Sequence, residues 1–235
     1  CDTYMSVMIS AIFIMEEIVL FGNILQCKKV DKKIALVVDL FLSVMIIACL
    51  HALEGALFTL CHIPVSMITV GSLDVAVAVA FIVYDRLNGY QEHEMSYVDW
   101  LMLCTFAVLS VLFVLVYFTA DLKINYFSTD AGRHMGNAKS VAEKHILTTN
   151  LYFSAINDGL IMSLFKPFIS SFFYYKIFAL TEGMDFFIAG IAFASCIREY
   201  CKDSLKSFVL MILSLIYWIG YPLYAIEGGF TYFGT

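Results

Sequence analysis

The sequence predicts an all-α fold, a polytopic transmembrane bundle of about seven helices, on three observations. Hydrophobic residues make up 61% of the 235 positions and charged residues only 14%. Soluble domains carry about 25% charged residues, so too few charges are present here to build a water-facing surface. Mean hydropathy is +0.85, and the apolar residues gather in repeated stretches close to the roughly 20 residues that a helix needs to cross a bilayer. A closed β-barrel would also satisfy every backbone polar group in lipid, but these runs are too long for it and lack alternation.

Seven apolar stretches follow one another, at about 4–26, 34–60, 64–84, 97–120, 146–165, 172–196 and 205–226. Polar connections separate most of them: QCKKVDKK after the first, DRLNGYQEHEM after the third, REYCKDSLK before the last, and a long one at 121–145. The second and third stretches are divided only by Cys61, His62, Ile63 and Pro64. Neither a repeat nor a low-complexity tract interrupts the pattern, so residues 1–235 read as a single membrane domain. The chain starts at Cys1, and its first apolar run lacks the basic flank and small-residue cleavage site of a secretory signal. The expected location is the membrane, crossed several times, with the 121–145 segment outside the bilayer.

A net charge of −6 argues against nucleic acid as a partner. Basic residues should gather on the cytoplasmic side of a membrane protein. Here they divide seven and seven: Lys28, Lys29, Lys32, Lys33, Arg86, Lys166 and Lys176 against Lys123, Arg133, Lys139, Lys144, Arg198, Lys202 and Lys206. Charge therefore gives no orientation. The seven cysteines form no CxxC pair and the five histidines no HxxxH or HExxH spacing. No metal site, catalytic constellation or enzymatic activity is predicted.

Carboxylates inside the apolar runs are the most informative feature. Glu16, Glu17, Asp39, Glu54, Asp74, Asp99, Asp158, Glu182 and Asp185 all fall within them. A carboxylate at the centre of a membrane helix costs about 2.5–3.5 kcal/mol on insertion scales, and such residues face a polar interior. Asp39 and Asp185 are the best candidates for span ends. Few basic residues lie within the spans to pair with the rest, so water, protons or a bound cation must compensate them. Glu54, Asp74, Asp99 and Asp158 are the candidate ion-pathway residues.

The fourth stretch opens Ser96-Tyr97-Val98-Asp99-Trp100-Leu101-Met102-Leu103-Cys104-Thr105, which resembles the third helix of microbial (type I) rhodopsins, Arg-Tyr-x-Asp/Glu-Trp-Leu followed by Thr-Thr/Cys-Pro. Asn157-Asp158-Gly159 resembles the Asp-Gly of the family's fourth helix. Tyr217-Trp218-Ile219-Gly220-Tyr221-Pro222, followed by Glu227-Gly228-Gly229, is similar to the sixth. The three pieces are collinear, and 68–84 is compatible with the second helix. The resemblance implies retinal as cofactor, with Asp99 as Schiff-base counterion and Trp100, Trp218 and Tyr221 walling the polyene. Pro222 would kink its helix, and Cys104 and Asp158 would form the pair that links the third and fourth helices in channelrhodopsins. Several departures accompany it. Ser96 stands where the family has Arg, Thr105 replaces Pro, and Ser110 occupies the place of a proton pump's carboxylate donor. The 4–26 stretch becomes an extra first helix, as in enzyme-linked rhodopsins. The chain ends at Thr235, before the helix that carries the retinal-binding lysine, so it holds no Schiff-base lysine.

Two functions follow as expectations: a retinal-binding, light-responsive channel or photosensor, or a proton- or cation-coupled multi-pass transporter or channel unrelated to rhodopsins. A non-catalytic membrane subunit is the third reading. Lipids are the expected partners, with a homo-oligomer or a larger membrane complex left open.

Overall fold

The computed structural model describes residues 2–119, 130–147, 154–168, 174–203 and 205–213. The fold is all-α. Helices α1 (Asp2–Gln26), α2 (Leu36–Leu60), α3 (Met67–Asn88) and α4 (Tyr97–Thr119) are followed by α5 (Asp130–Lys144), α6 (Ser154–Phe165) and α7 (Tyr174–Tyr200), with a further helical stretch at 205–213. Four helices, α1 to α4, are long and apolar enough to cross a membrane. At 1.5 Å rise per residue, the 25 residues of α2 exceed the roughly 30 Å hydrocarbon thickness.

Two ends of the bundle are defined by contacts. At one, the α1–α2 connection meets the α3–α4 connection. Ile34–Ala35 (β1) pairs in parallel with His93–Glu94 (β2), Cys27 bridges to Tyr90, and the Gln91 side chain donates to the Lys32 carbonyl at 2.8 Å. The start of α4 and the end of α7 sit there too, joined by Asp99 and Arg198, and Ser195 of α7 donates to the Val37 carbonyl at 3.0 Å. Burial and then the nearby Asp85 carboxylate push the Cys27 thiol up from its ordinary pKa. At the opposite end, the α2–α3 turn meets the end of α5 through Val65 N–H and the His145 carbonyl, 2.8 Å apart. Ser10 of α1 reaches the Leu164 carbonyl of α6.

The turn between α2 and α3 is short because both of its sides are locally specified. His62 takes a positive φ of 56° just past the end of α2. Ser66 then opens α3 with a capping box: its hydroxyl accepts from Thr69 N–H, and the Thr69 hydroxyl accepts from Ser66 N–H. That exchange satisfies donors that a helix start leaves without intrahelical partners.

The packing has two main centres. Phe13, Phe58, Val70, Val141, Ile156 and Leu160 join α1, α2, α3, α5 and α6. Val37, Val98, Met102, Phe106, Ile191 and Ala194 join α2, α4 and α7. Gly190 lets α7 approach α4, since a Cβ there would lie 2.2 Å from the Phe106 ring. The outer faces are apolar as well: Ile18, Leu53, Val79 and Val108 are 64%, 69%, 53% and 58% exposed.

Two stretches differ from the sequence expectation. Among the described residues, the 146–165 run holds the 12 residues of α6, about 18 Å of helix, which ends before Pro167, a residue that cannot continue a helix. Its predicted first part, 148–153, lies outside the described residues. Within the 121–145 connection, 130–144 forms a helix that the sequence reading did not assign; Ala138, Val141 and Ala142 bury one face against α6. Met135, Ala138 and Ala142 recur at the three- and four-residue spacing of an amphipathic helix, a signal masked by the segment's polar composition. The last run, 205–226, is helical over its described part, 205–213.

Candidate polar site within the apolar bundle

Polar side chains from four helices converge between the apolar faces of α1, α2, α3 and α6. Glu17 comes from α1, His51 and Glu54 from α2, Asp74 from α3 and Asn157 from α6. Their positions follow from helix geometry. His51 and Glu54 are three residues apart, so one face of α2 presents both; Leu53 and Leu57 turn to the exterior. Gly71 gives α1 room beside α3: a Cβ there would lie 2.3 Å from the Glu16 carboxylate.

The centre of the cluster is His51, which is 5% exposed. Its Nδ1 lies 2.8 Å from Asn157 Oδ1. An amide oxygen can only accept, so Nδ1 carries the proton and donates. The other nitrogen, Nε2, lies 3.4 Å from Glu17 Oε1 and 3.5 Å from Asp74 Oδ2, and it forms no hydrogen bond there. The His51 nitrogen and the Glu17 and Asp74 oxygens all lie within 4.8 Å of one another. Asp74 is fully buried and Glu54 is 2% exposed. Glu54 stands beside Asp74, His51 and Glu17, and among the described residues neither of its carboxylate oxygens has a hydrogen-bond donor; the same holds for both oxygens of Asp74. Glu16, the residue before Glu17 on α1, lies close enough to Asp74 to feel its charge. Three carboxylates, Glu17, Glu54 and Asp74, therefore stand around one imidazole, which is the cationic partner recorded for Glu17 and Asp74 among the described residues.

Two other acidic positions have ordinary partners. Asp39, fully buried near the start of α2, accepts from Lys29 Nζ and lies 2.7 Å from His93 Nε2, so it closes the end of the bundle as a span-end residue would. Asp99 accepts from Arg198 Nε at 2.7 Å, and from Ser96 N–H at 3.3 Å through its other oxygen.

The sequence-derived site residues separate accordingly. Glu54 and Asp74 come together, whereas Asp99 sits at the end of the bundle in its pair with Arg198. Trp100 is 52% exposed and points outward, because it follows Asp99 by one residue and a helix turns about 100° per residue; it does not face the bundle interior as the rhodopsin resemblance implied. Cys104 is likewise exposed, four residues further along the same outer face. Asp158 interacts with Thr181 of α7. Trp218, Tyr221 and Pro222 lie outside the described residues. Sequence reasoning named Glu16 and Glu17 only as intramembrane acids and passed over His51 and Asn157, since their partners come from other helices.

The chain matches no family model, no curated protein and no solved structure.

Proposed function

We propose that this chain is a multi-pass membrane protein that moves or couples to a cation or proton through the cluster of Glu17, His51, Glu54 and Asp74. The observation that carries the reading is the convergence of carboxylate oxygens without donors on one buried imidazole, inside helices whose outer faces are apolar. Intramembrane acids are costly and mark ion pathways or proton relays. A structural network would be expected to satisfy its buried polar atoms, since each one left unsatisfied costs about 1–3 kcal/mol. These atoms instead leave room for positive charge.

The retinal-binding reading draws less support from the described residues. Its counterion candidate, Asp99, has Arg198 as a partner, and Trp100 faces outward.

The test is flux through liposomes that contain the purified full chain, read with an internal pH dye and with a cation-sensitive dye. Flux should appear in the unmodified protein and disappear in Asp74→Asn, a near-isosteric change that removes only charge. Flux unaltered by Asp74→Asn and by Glu54→Gln would remove the cluster from the pathway. No flux of either kind would favour a non-catalytic subunit of a larger complex.

A further inference from the structure

We infer that Glu17, His51 and Asp74 form a binding site for a divalent transition-metal ion of the Zn2+, Co2+ or Mn2+ class, and that Asn157 is the residue that positions the imidazole. The inference deepens the proposed cation reading and rests on the same cluster.

The distances fit such an ion. A tetrahedral centre with bonds of about 2.1 Å holds its ligand atoms about 3.4 Å apart. His51 Nε2 stands 3.4 Å from Glu17 Oε1 and 3.5 Å from Asp74 Oδ2, close to two edges of that tetrahedron. The third pair, Glu17 and Asp74, falls within 4.8 Å, so side-chain rotation completes the triangle.

The protonation pattern fits too. Histidine ligates through a neutral nitrogen while its other N–H is held by an acceptor, which fixes the tautomer and aims the ring. Asn157 Oδ1, 2.8 Å from Nδ1, is that acceptor. It leaves the Nε2 lone pair directed at the carboxylates.

A separate observation points to a ligand. Glu54, almost wholly buried, brings two carboxylate oxygens without donors against Asp74. It is placed to supply a fourth ligand or to hold a metal-bound water. One nitrogen with two or three carboxylates selects against Ca2+ and Mg2+, which take oxygen ligands, and favours metals for which imidazole is a good donor. Cysteine plays no part in the set, which separates it from the soft thiolate sites that Cu+ prefers.

Co2+ is the probe, added to the full chain in lipid nanodiscs and followed by its visible d–d absorption. We expect one Co2+ per chain, with no thiolate charge-transfer band, displaced by Zn2+. His51→Ala should abolish the band, Asn157→Ala should weaken binding by about 10–100-fold, and His93→Ala should leave it unchanged. Should His51→Ala fail to fold, Glu17→Gln and Asn157→Ala carry the test, with helix content checked by circular dichroism. Absence of a saturable band, or equal binding in the variants of the cluster, would overturn the metal site. Ion flux that depends on Asp74 without Co2+ binding defeats this inference and leaves the cation reading standing. Stoichiometric Co2+ binding lost with His51, in a protein that carries no flux, does the reverse.

Discussion

Replacing Arg198 by methionine should destabilise the protein by about 3–5 kcal/mol, the cost of leaving a buried charge without its partner. Arg198 and Asp99 have side chains only 3% and 0% exposed, and their atoms approach to 2.7 Å. The pair ties the first turn of α4 to the last turns of α7. Taking the arginine away leaves the fully buried Asp99 carboxylate without the cation that neutralises it. The double change Asp99→Leu with Arg198→Met should recover most of the loss, because a well-packed apolar pair of similar volume is often as stable as a buried ion pair. Unfolding in mixed detergent and SDS micelles, followed by tryptophan fluorescence, supplies the three free-energy differences of the cycle. A loss in the double variant equal to the sum of the two single losses would mean that the two residues act separately.

Gly159→Ala should cost about 1–3 kcal/mol, the usual penalty for overpacking. A Cβ on Gly159 would lie 2.5 Å from Val141 Cβ and 2.9 Å from the Ala138 carbonyl oxygen. Neither atom is the free end of a flexible side chain, so relief requires α5 and α6 to separate. Gly22→Ala makes the contrasting case. Nothing lies within 4 Å of its added methyl, and alanine is favoured over glycine in a helix by about 1 kcal/mol. The two substitutions are chemically identical and should have opposite signs. The same SDS titration reads both, and destabilisation by Gly22→Ala equal to that by Gly159→Ala would show that the close approach of α5 to α6 does not decide the outcome.

Much of the helical plan could be read from the sequence. The first four apolar runs coincide with α1 to α4 because uninterrupted apolar stretches of more than 20 residues admit few alternatives. The helix inside the 121–145 connection was not legible in the same way. The 130–144 segment looked like a connection because Arg133, His134, Lys139 and Lys144 dominate it, although its buried stripe already had helical spacing. At the candidate site, sequence could flag Glu54 and Asp74 as misplaced in lipid, yet it could not rank nine acids. Asp39 and Asp99 turned out to have cations beside them, Lys29 and Arg198, whose distances in sequence are 10 and 99 residues. His51 was invisible for the complementary reason. Its ligand-like neighbours come from α1, α3 and α6, so no motif of fixed spacing contains them; only the packing of helices creates the set. Trp100 illustrates the converse. Its neighbour Asp99 is buried, but the next position on a helix points elsewhere, and a local motif cannot tell which of the two faces inward.

The claim on which the account depends is that α2 crosses the bilayer and carries His51 and Glu54 into it. Single-cysteine variants in sealed vesicles test this directly. One keeps only Cys61, at the α2–α3 turn; a second keeps only Cys201, beyond α7; a third lacks native cysteines and carries Lys32→Cys, in the connection before α2. Cys61 and Lys32 are exposed and Cys201 is partly so. Labelling with a membrane-impermeant maleimide, before and after permeabilisation, should place Lys32→Cys and Cys201 on one face of the membrane and Cys61 on the other. Labelling of all three from the same face would contradict a transmembrane α2, and with it the placement of the cluster inside the bilayer.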